Sequence, residues 1–142
     1  MSKIIKVLFM LLVSFSMFSQ DITGKWKTFD EETGEEKSIV DIYINEGKVY
    51  GKISAIFNPK DEASLCEKCK GEKFNKPVLG MLIIDGLTKD DEVYEDGKIL
   101  DPENGKEYTC KIWLDSNNSN VLNVRGYIAF FYRTQTWIRF KS

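Results

Sequence analysis

Beyond residue 21, apolar and polar positions alternate with a period of two through most of the chain, the spacing of strands with one buried face. The run 22–29 carries Ile22, Trp26 and Phe29. Over 38–44, Val40, Ile42 and Ile44 fall on one face and Ile39, Asp41 and Tyr43 on the other. Residues 49–57 set Val49, Ile53 and Phe57 on one side, with the small Gly51 and Ala55 between them. The stretch 78–84 is more uniformly apolar, which predicts a strand covered on both faces. Further strands are predicted over 108–114, 121–132 and 134–140. Thr33-Gly34, Glu46-Gly47, Asp96-Gly97 and Asn104-Gly105 punctuate the runs, and such dipeptides supply the positive φ values that tight hairpins need. The lysine-rich residues 58–77 predict a long loop with room for one short helical turn. No stretch beyond residue 21 sustains the three-and-four spacing of an amphipathic helix. The pattern predicts an all-β fold of about eight short antiparallel strands, which close as a barrel or stack as a sandwich.

The first 20 residues read differently. Lys3 and Lys6 precede an unbroken apolar run from Val7 to Val13, followed by the small-x-small Ser14-Phe15-Ser16. A membrane-spanning helix needs about 20 apolar residues, more than this run offers. The pattern is that of an export signal over 1–20, leaving one domain over 21–142, exported to the periplasm or secreted. The chain carries 20 basic and 22 acidic residues, a net charge of −2. Loss of Lys3 and Lys6 with the signal leaves 18 basic against 22 acidic residues, or −4 over 122 residues. Charges so mixed give no reason to expect nucleic acid or a lipid surface as a partner, and a monomer is expected. Hydrophobic residues make up 42% and aromatics 13% of the chain, too many for a disordered one. Histidine is absent, which excludes Ser-His-Asp and Cys-His catalysis and histidine metal sites. No catalytic residue, cofactor or metal is nominated.

Gly24-Lys25-Trp26 opens the first predicted strand and Arg139 lies on the last. This pairing resembles the calycin pattern of lipocalins and fatty-acid-binding proteins. There the tryptophan closes the barrel floor and the arginine lies across its ring, gaining cation–π energy. The resemblance implies a single up-and-down barrel with Gly24, Trp26 and Arg139 as its closure. A longer set of segments is similar to an uncharacterised family of small exported bacterial proteins, domain of unknown function 2147. These include Tyr50-Gly51-Lys52-Ile53, Cys66-Glu67-Lys68-Cys69-Lys70-Gly71, Pro77-Val78-Leu79-Gly80-Met81, Gly97-Lys98-Ile99-Leu100-Asp101-Pro102 and Arg133-Thr134-Gln135-Thr136-Trp137. That family implies a calycin-like barrel and export but no activity. Where its members tend to carry small residues, this chain has Ile128-Ala129-Phe130-Phe131-Tyr132.

Three sets of residues carry candidate chemistry. Cys66 and Cys69 form a C-x-x-C and Cys110 makes the count odd. The first two can clamp the loop, one of them can pair with Cys110, or they can form a redox or metal site. The acidic groups Asp90-Asp91-Glu92 and Asp101-Pro102-Glu103 match no calcium loop and read as turns. Arg125, Arg133 and Arg139 are the only arginines, all in the last two predicted strands. Arginine forks a carboxylate or stacks on a ring in ways lysine cannot. Arg125, Tyr127, Arg133 and Trp137 are therefore the candidate ligand-binding group; the alternative partners of these arginines are Asp41, Asp101 and Glu107. The expectation is a non-enzymatic barrel that binds a small amphipathic or anionic molecule. Its alternatives are a filled barrel whose loops, residues 128–132 among them, contact an envelope protein, and a redox or metal protein using the C-x-x-C.

Overall fold

The computed structural model describes residues 21–141; the export signal expected over 1–20 lies outside the described residues. Eight antiparallel strands follow in chain order: β1 (Gly24–Phe29), β2 (Glu36–Asn45), β3 (Lys48–Ile56), β4 (Leu82–Asp90), β5 (Val93–Asp101), β6 (Lys106–Leu114), β7 (Val121–Ile128) and β8 (Phe131–Arg139). Each pairs with its sequence neighbour, and β8 returns to β1 to close the barrel. Alternation thus leads to the up-and-down barrel, because every strand has one apolar face to bury. Closure and core both lie within residues 21–141.

The interior is packed with the chain's own side chains. Trp26, Ile42, Ile84, Leu87, Ile112 and Leu122 are each 1% exposed or less, and burial of such a side chain contributes about 1.5–3 kcal/mol. The buried hydroxyls of Thr28 and Ser38 satisfy each other at 2.7 Å.

Three predicted boundaries are corrected. β4 starts at Leu82, not residue 78. The segment before it folds against β3, where Gly80 donates to the Ile53 carbonyl and Ile53 to that of Met81. Coverage on both faces nevertheless holds for Ile83 and Ile84, at 7% and 0% exposed. Asp96-Gly97 is not a hairpin. It lies inside β5 at a register shift between Tyr94 and Gly97, with Asp96 at φ 65°. The same positive φ that would make a turn makes a bulge, and the β4–β5 reversal falls at Asp91 and Glu92, with Asp91 at φ 59°. Gly97 is required there because a Cβ would sit 2.4 Å from the Asp85 carbonyl oxygen. Finally, the predicted run 121–132 is divided at Ala129 and Phe130, where Ala129 takes φ 51°. Left-handed backbone costs a non-glycine residue about 1 kcal/mol, so the sequence carries no turn signal there.

The long β3–β4 connection holds one 3-10 turn, Gly71–Lys73, and packs at the end of the barrel opposite Trp26. Cys66 and Cys69 are bridged to each other and buried at 0% and 4% exposure. The Cys66 sulfur lies 3.4 Å from the Pro102 carbonyl. A Cβ on Gly105 would sit 2.0 Å from the Lys68 carbonyl oxygen, so only glycine lets the β5–β6 turn meet this loop.

Candidate ligand cleft in the barrel seam

The barrel's closing seam is paired only near one end. β1 and β8 are in register at Trp26–Arg139 and Lys27–Ile138, whereas β7 and β8 stay in register along eight pairs. β1 shifts register at Thr28/Phe29 and leaves into the loop to β2, while β8 extends back to Phe131. Between the parted strands is a cleft of about 370 Å³, with Phe29, Asp30 and Glu31 on one side and Arg133 to Trp137 on the other. The cleft is open to solvent along much of its extent.

Alternation along β8 sets the chemistry of this cleft. Trp137 is 3% exposed and belongs to the core, so Gln135 and Arg133 follow it on the same face toward the opening. The Trp137 indole donates to the Gln135 side-chain oxygen at 3.2 Å. The Gln135 amide donates to Glu31 Oε1, and Arg133 Nη1 donates to Glu31 Oε2 at 2.5 Å. Both Glu31 oxygens are therefore engaged and the Arg133 charge is balanced. The pair is exposed, with 76% of the Arg133 side chain in solvent, and an ion pair of that kind is easily displaced. Asp30 shapes the loop by accepting the backbone N–H groups of Glu32 and Thr33 at 2.9 Å each. The Thr33 and Glu32 N–H groups hold its carboxyl below the usual aspartate value.

The four residues expected to form one ligand group lie on two faces of the wall. Arg133 and Trp137 line the cleft. On β7, Leu122 and Val124 are buried, so Arg125 and Tyr127 alternate with them onto the outer surface. There the Arg125 guanidinium carbon stands 4.9 Å from the Trp113 ring centroid and 4.4 Å from that of Tyr132. The apolar phase of Leu122 and Val124 is the sequence signal that separates the two faces. Glu31, which sequence reasoning missed, has none, since it is one of several acids in a loop. It is the ion-pair partner of Arg133, in place of Asp41, Asp101 or Glu107.

At the other end, the Arg139 guanidinium carbon is 4.4 Å from the Trp26 ring centroid. Its Nη1 donates to the Thr23 carbonyl at 3.1 Å, and its Nη2 to those of Asp21 and Ser119 at 2.7 and 3.2 Å. Trp26 donates its indole N–H to the Ile22 carbonyl at 2.8 Å. Gly24 is favoured here by its backbone, at φ 115°, since a Cβ would meet Arg139 Nη1 only at an ordinary contact distance of 3.5 Å. Cys110 is free and buried inside β6, so the cross-link from the loop to Cys110 does not form. The three cysteines are not arranged as a ligand set, and the C-x-x-C is buried rather than at the start of a helix, where a reactive thiolate needs to be.

A search of the curated proteins finds no match. Among solved structures, a Helicobacter pylori protein, HP1028, described as belonging to the lipocalin family, superposes with a TM-score of 0.74 at 20% identity, covering 87% of this chain and 85% of its own. Likeness at that identity establishes the barrel fold. The family model described as an uncharacterized protein conserved in bacteria (DUF2147) matches residues 24–139, from the first residue of β1 to the last of β8, and the chain belongs to that family.

Proposed function

We propose that this is an exported lipocalin-like barrel that holds a small amphipathic molecule in the seam cleft. The observation that carries this reading is the Trp137–Gln135–Glu31–Arg133 chain of hydrogen bonds beside the half-buried ring of Phe29. A head group would exchange with the exposed Glu31–Arg133 pair while the apolar part lies against Phe29. Because the interior is filled by the core, the ligand sits in the seam and not at the barrel centre. Since Glu31 already balances Arg133, the cleft suits an amphipathic molecule better than a bare anion.

The test uses the amphipathic anionic dye anilinonaphthalene sulfonate with the chain from Asp21 onward. Saturable one-to-one uptake is expected, weakened about tenfold in Arg133→Gln, the loss of one charge-assisted contact. Glu31→Gln, which releases Arg133, strengthens it. Uptake that is absent, or indifferent to both substitutions, overturns the reading.

A further inference from the structure

The β7–β8 hairpin ends in the two most exposed large apolar side chains of the described residues, Phe130 at 97% and Phe131 at 79%, beside Tyr132 at 61% and Ile128 at 44%. Behind the tip the hairpin changes character row by row: Ile128 and Phe131 share the parity of Val124 and Arg133 and turn to the cleft face, whereas Tyr127, Tyr132 and Arg125 are on the outer face. Ile128 pairs with Phe131, and Tyr127 with Tyr132 in the next row, their ring centroids 5.8 Å apart. Two residues farther back, about 7 Å along the strand, Arg125 faces Lys111 across β6–β7. Arg125 leans toward the tip, held by Thr134 Oγ1 at 2.7 Å and stacked on Tyr132. Like charges directly opposite each other in a sheet are unfavourable without a counter-charge. Among the described residues no carboxylate lies within 4.0 Å of either.

An apolar tip, then tyrosines, then cations outside any ion pair is the order of a phospholipid interface read outward from its hydrocarbon. We propose that this hairpin docks the barrel on an anionic phospholipid surface. Phe130 and Phe131 enter the acyl boundary, Tyr127 and Tyr132 lie among the head groups, and Arg125 and Lys111 meet phosphate. The acidic balance of the whole chain does not forbid this, because charges beyond about 8 Å are screened at physiological salt and the local patch decides. Tyr127, Tyr132, Arg125 and Lys111 lie on the face away from the seam cleft, and Phe131, though on the cleft's side of β8, is not among the residues that line it, so the test does not depend on that reading.

The chain from Asp21 onward, in which the barrel closes, is floated with vesicles of phosphatidylethanolamine and phosphatidylglycerol in equal parts, and with pure phosphatidylcholine. Binding is expected on the anionic vesicles, falling about 10- to 100-fold in Phe130→Ser/Phe131→Ser. Lys111→Gln/Arg125→Gln is expected to weaken it about tenfold on those vesicles, and far less on phosphatidylcholine. A Phe130→Trp probe, which leaves the fold untouched at so exposed a site, is expected to shift its emission to the blue on adding anionic vesicles. Flotation that is absent, equal in the tip variant, or without a Trp shift overturns the proposal. A photo-crosslinker at position 130 that captures an envelope protein while vesicles are ignored assigns the tip to a protein instead.

Discussion

Cys110 sits on the inner face of β6 with a glycine opposite it on each side, Gly97 on β5 and Gly126 on β7. Burial pushes its thiol up from 9.0 to about 12. In the unfolded chain it ionises near its ordinary value. Between those limits the unfolded state has lost a proton that the native state keeps, so stability falls as pH rises, by about 1.4 kcal/mol per pH unit from this group. The contribution is fully present below pH 9.0 and is lost toward about 12. Urea unfolding at pH 8 and pH 10.5 should therefore show a steeper alkaline loss in the parent than in Cys110→Ala. The cavity cost of the substitution is the same at both pH values, so the difference between the two slopes isolates the thiol. Equal slopes would mean that the thiol is reached by water. The sequence left the partner of this cysteine open, because spacing does not say which face of β6 it occupies until the apolar phase of Ile112 is fixed by closure.

The loop between β3 and β4 is the element whose geometry depends most on one covalent bond. The Cys66–Cys69 bridge closes a short loop, and loss of such a constraint costs about 2 kcal/mol by the chain-entropy relation. For a domain of this size that corresponds to a melting temperature lower by about 8 °C on reduction, measured with and without dithiothreitol. The barrel should survive, because no strand ladder passes through the bridge; a reduced protein that loses its strand signal altogether would place the bridge at the centre of folding instead. The strands that were legible, β2, β3 and β6, are those with one apolar and one polar face. β4 was read too early because the apolar residues 78–81 serve in a loop that packs on β3, and apolar character alone does not distinguish the two. The β7–β8 turn was read two ways, as part of a strand over 121–132 and as a loop at 128–132, because Ala129 and Phe130 hold it without a turn residue. In the same way, parity along β8 placed Arg133 and Trp137 on one face, but grouping them with Arg125 and Tyr127 needed the inward phase of a second strand, and Glu31 needed the course of a loop.

Taken whole, the barrel is a sheet fastened to itself at two places along one seam. The lower fastening is backbone register at Trp26–Arg139 and Lys27–Ile138, backed by the Phe140 N–H to the Lys25 carbonyl at 2.8 Å and by the Arg139–Trp26 stack. The upper one is made of side chains alone, Glu31 with Arg133 and Gln135, and an exposed ion pair of that kind contributes only about 0–1 kcal/mol. Between the two, the β8 edge has no register with β1. Amides in an antiparallel strand point alternately to its two neighbours. Over 132–136, those directed at β7 should therefore resist hydrogen exchange while those directed at β1 exchange rapidly. Binding of an amphipathic probe in the cleft should slow the second set and leave the first unchanged. Glu31→Gln should speed exchange in the second set further without lowering the melting temperature by more than about 3 °C, since the lower fastening and the core carry the stability. Uniform protection along β8 in the free protein would mean that the seam is closed by backbone pairing along its length, and the cleft would then have no unpaired edge to offer a ligand.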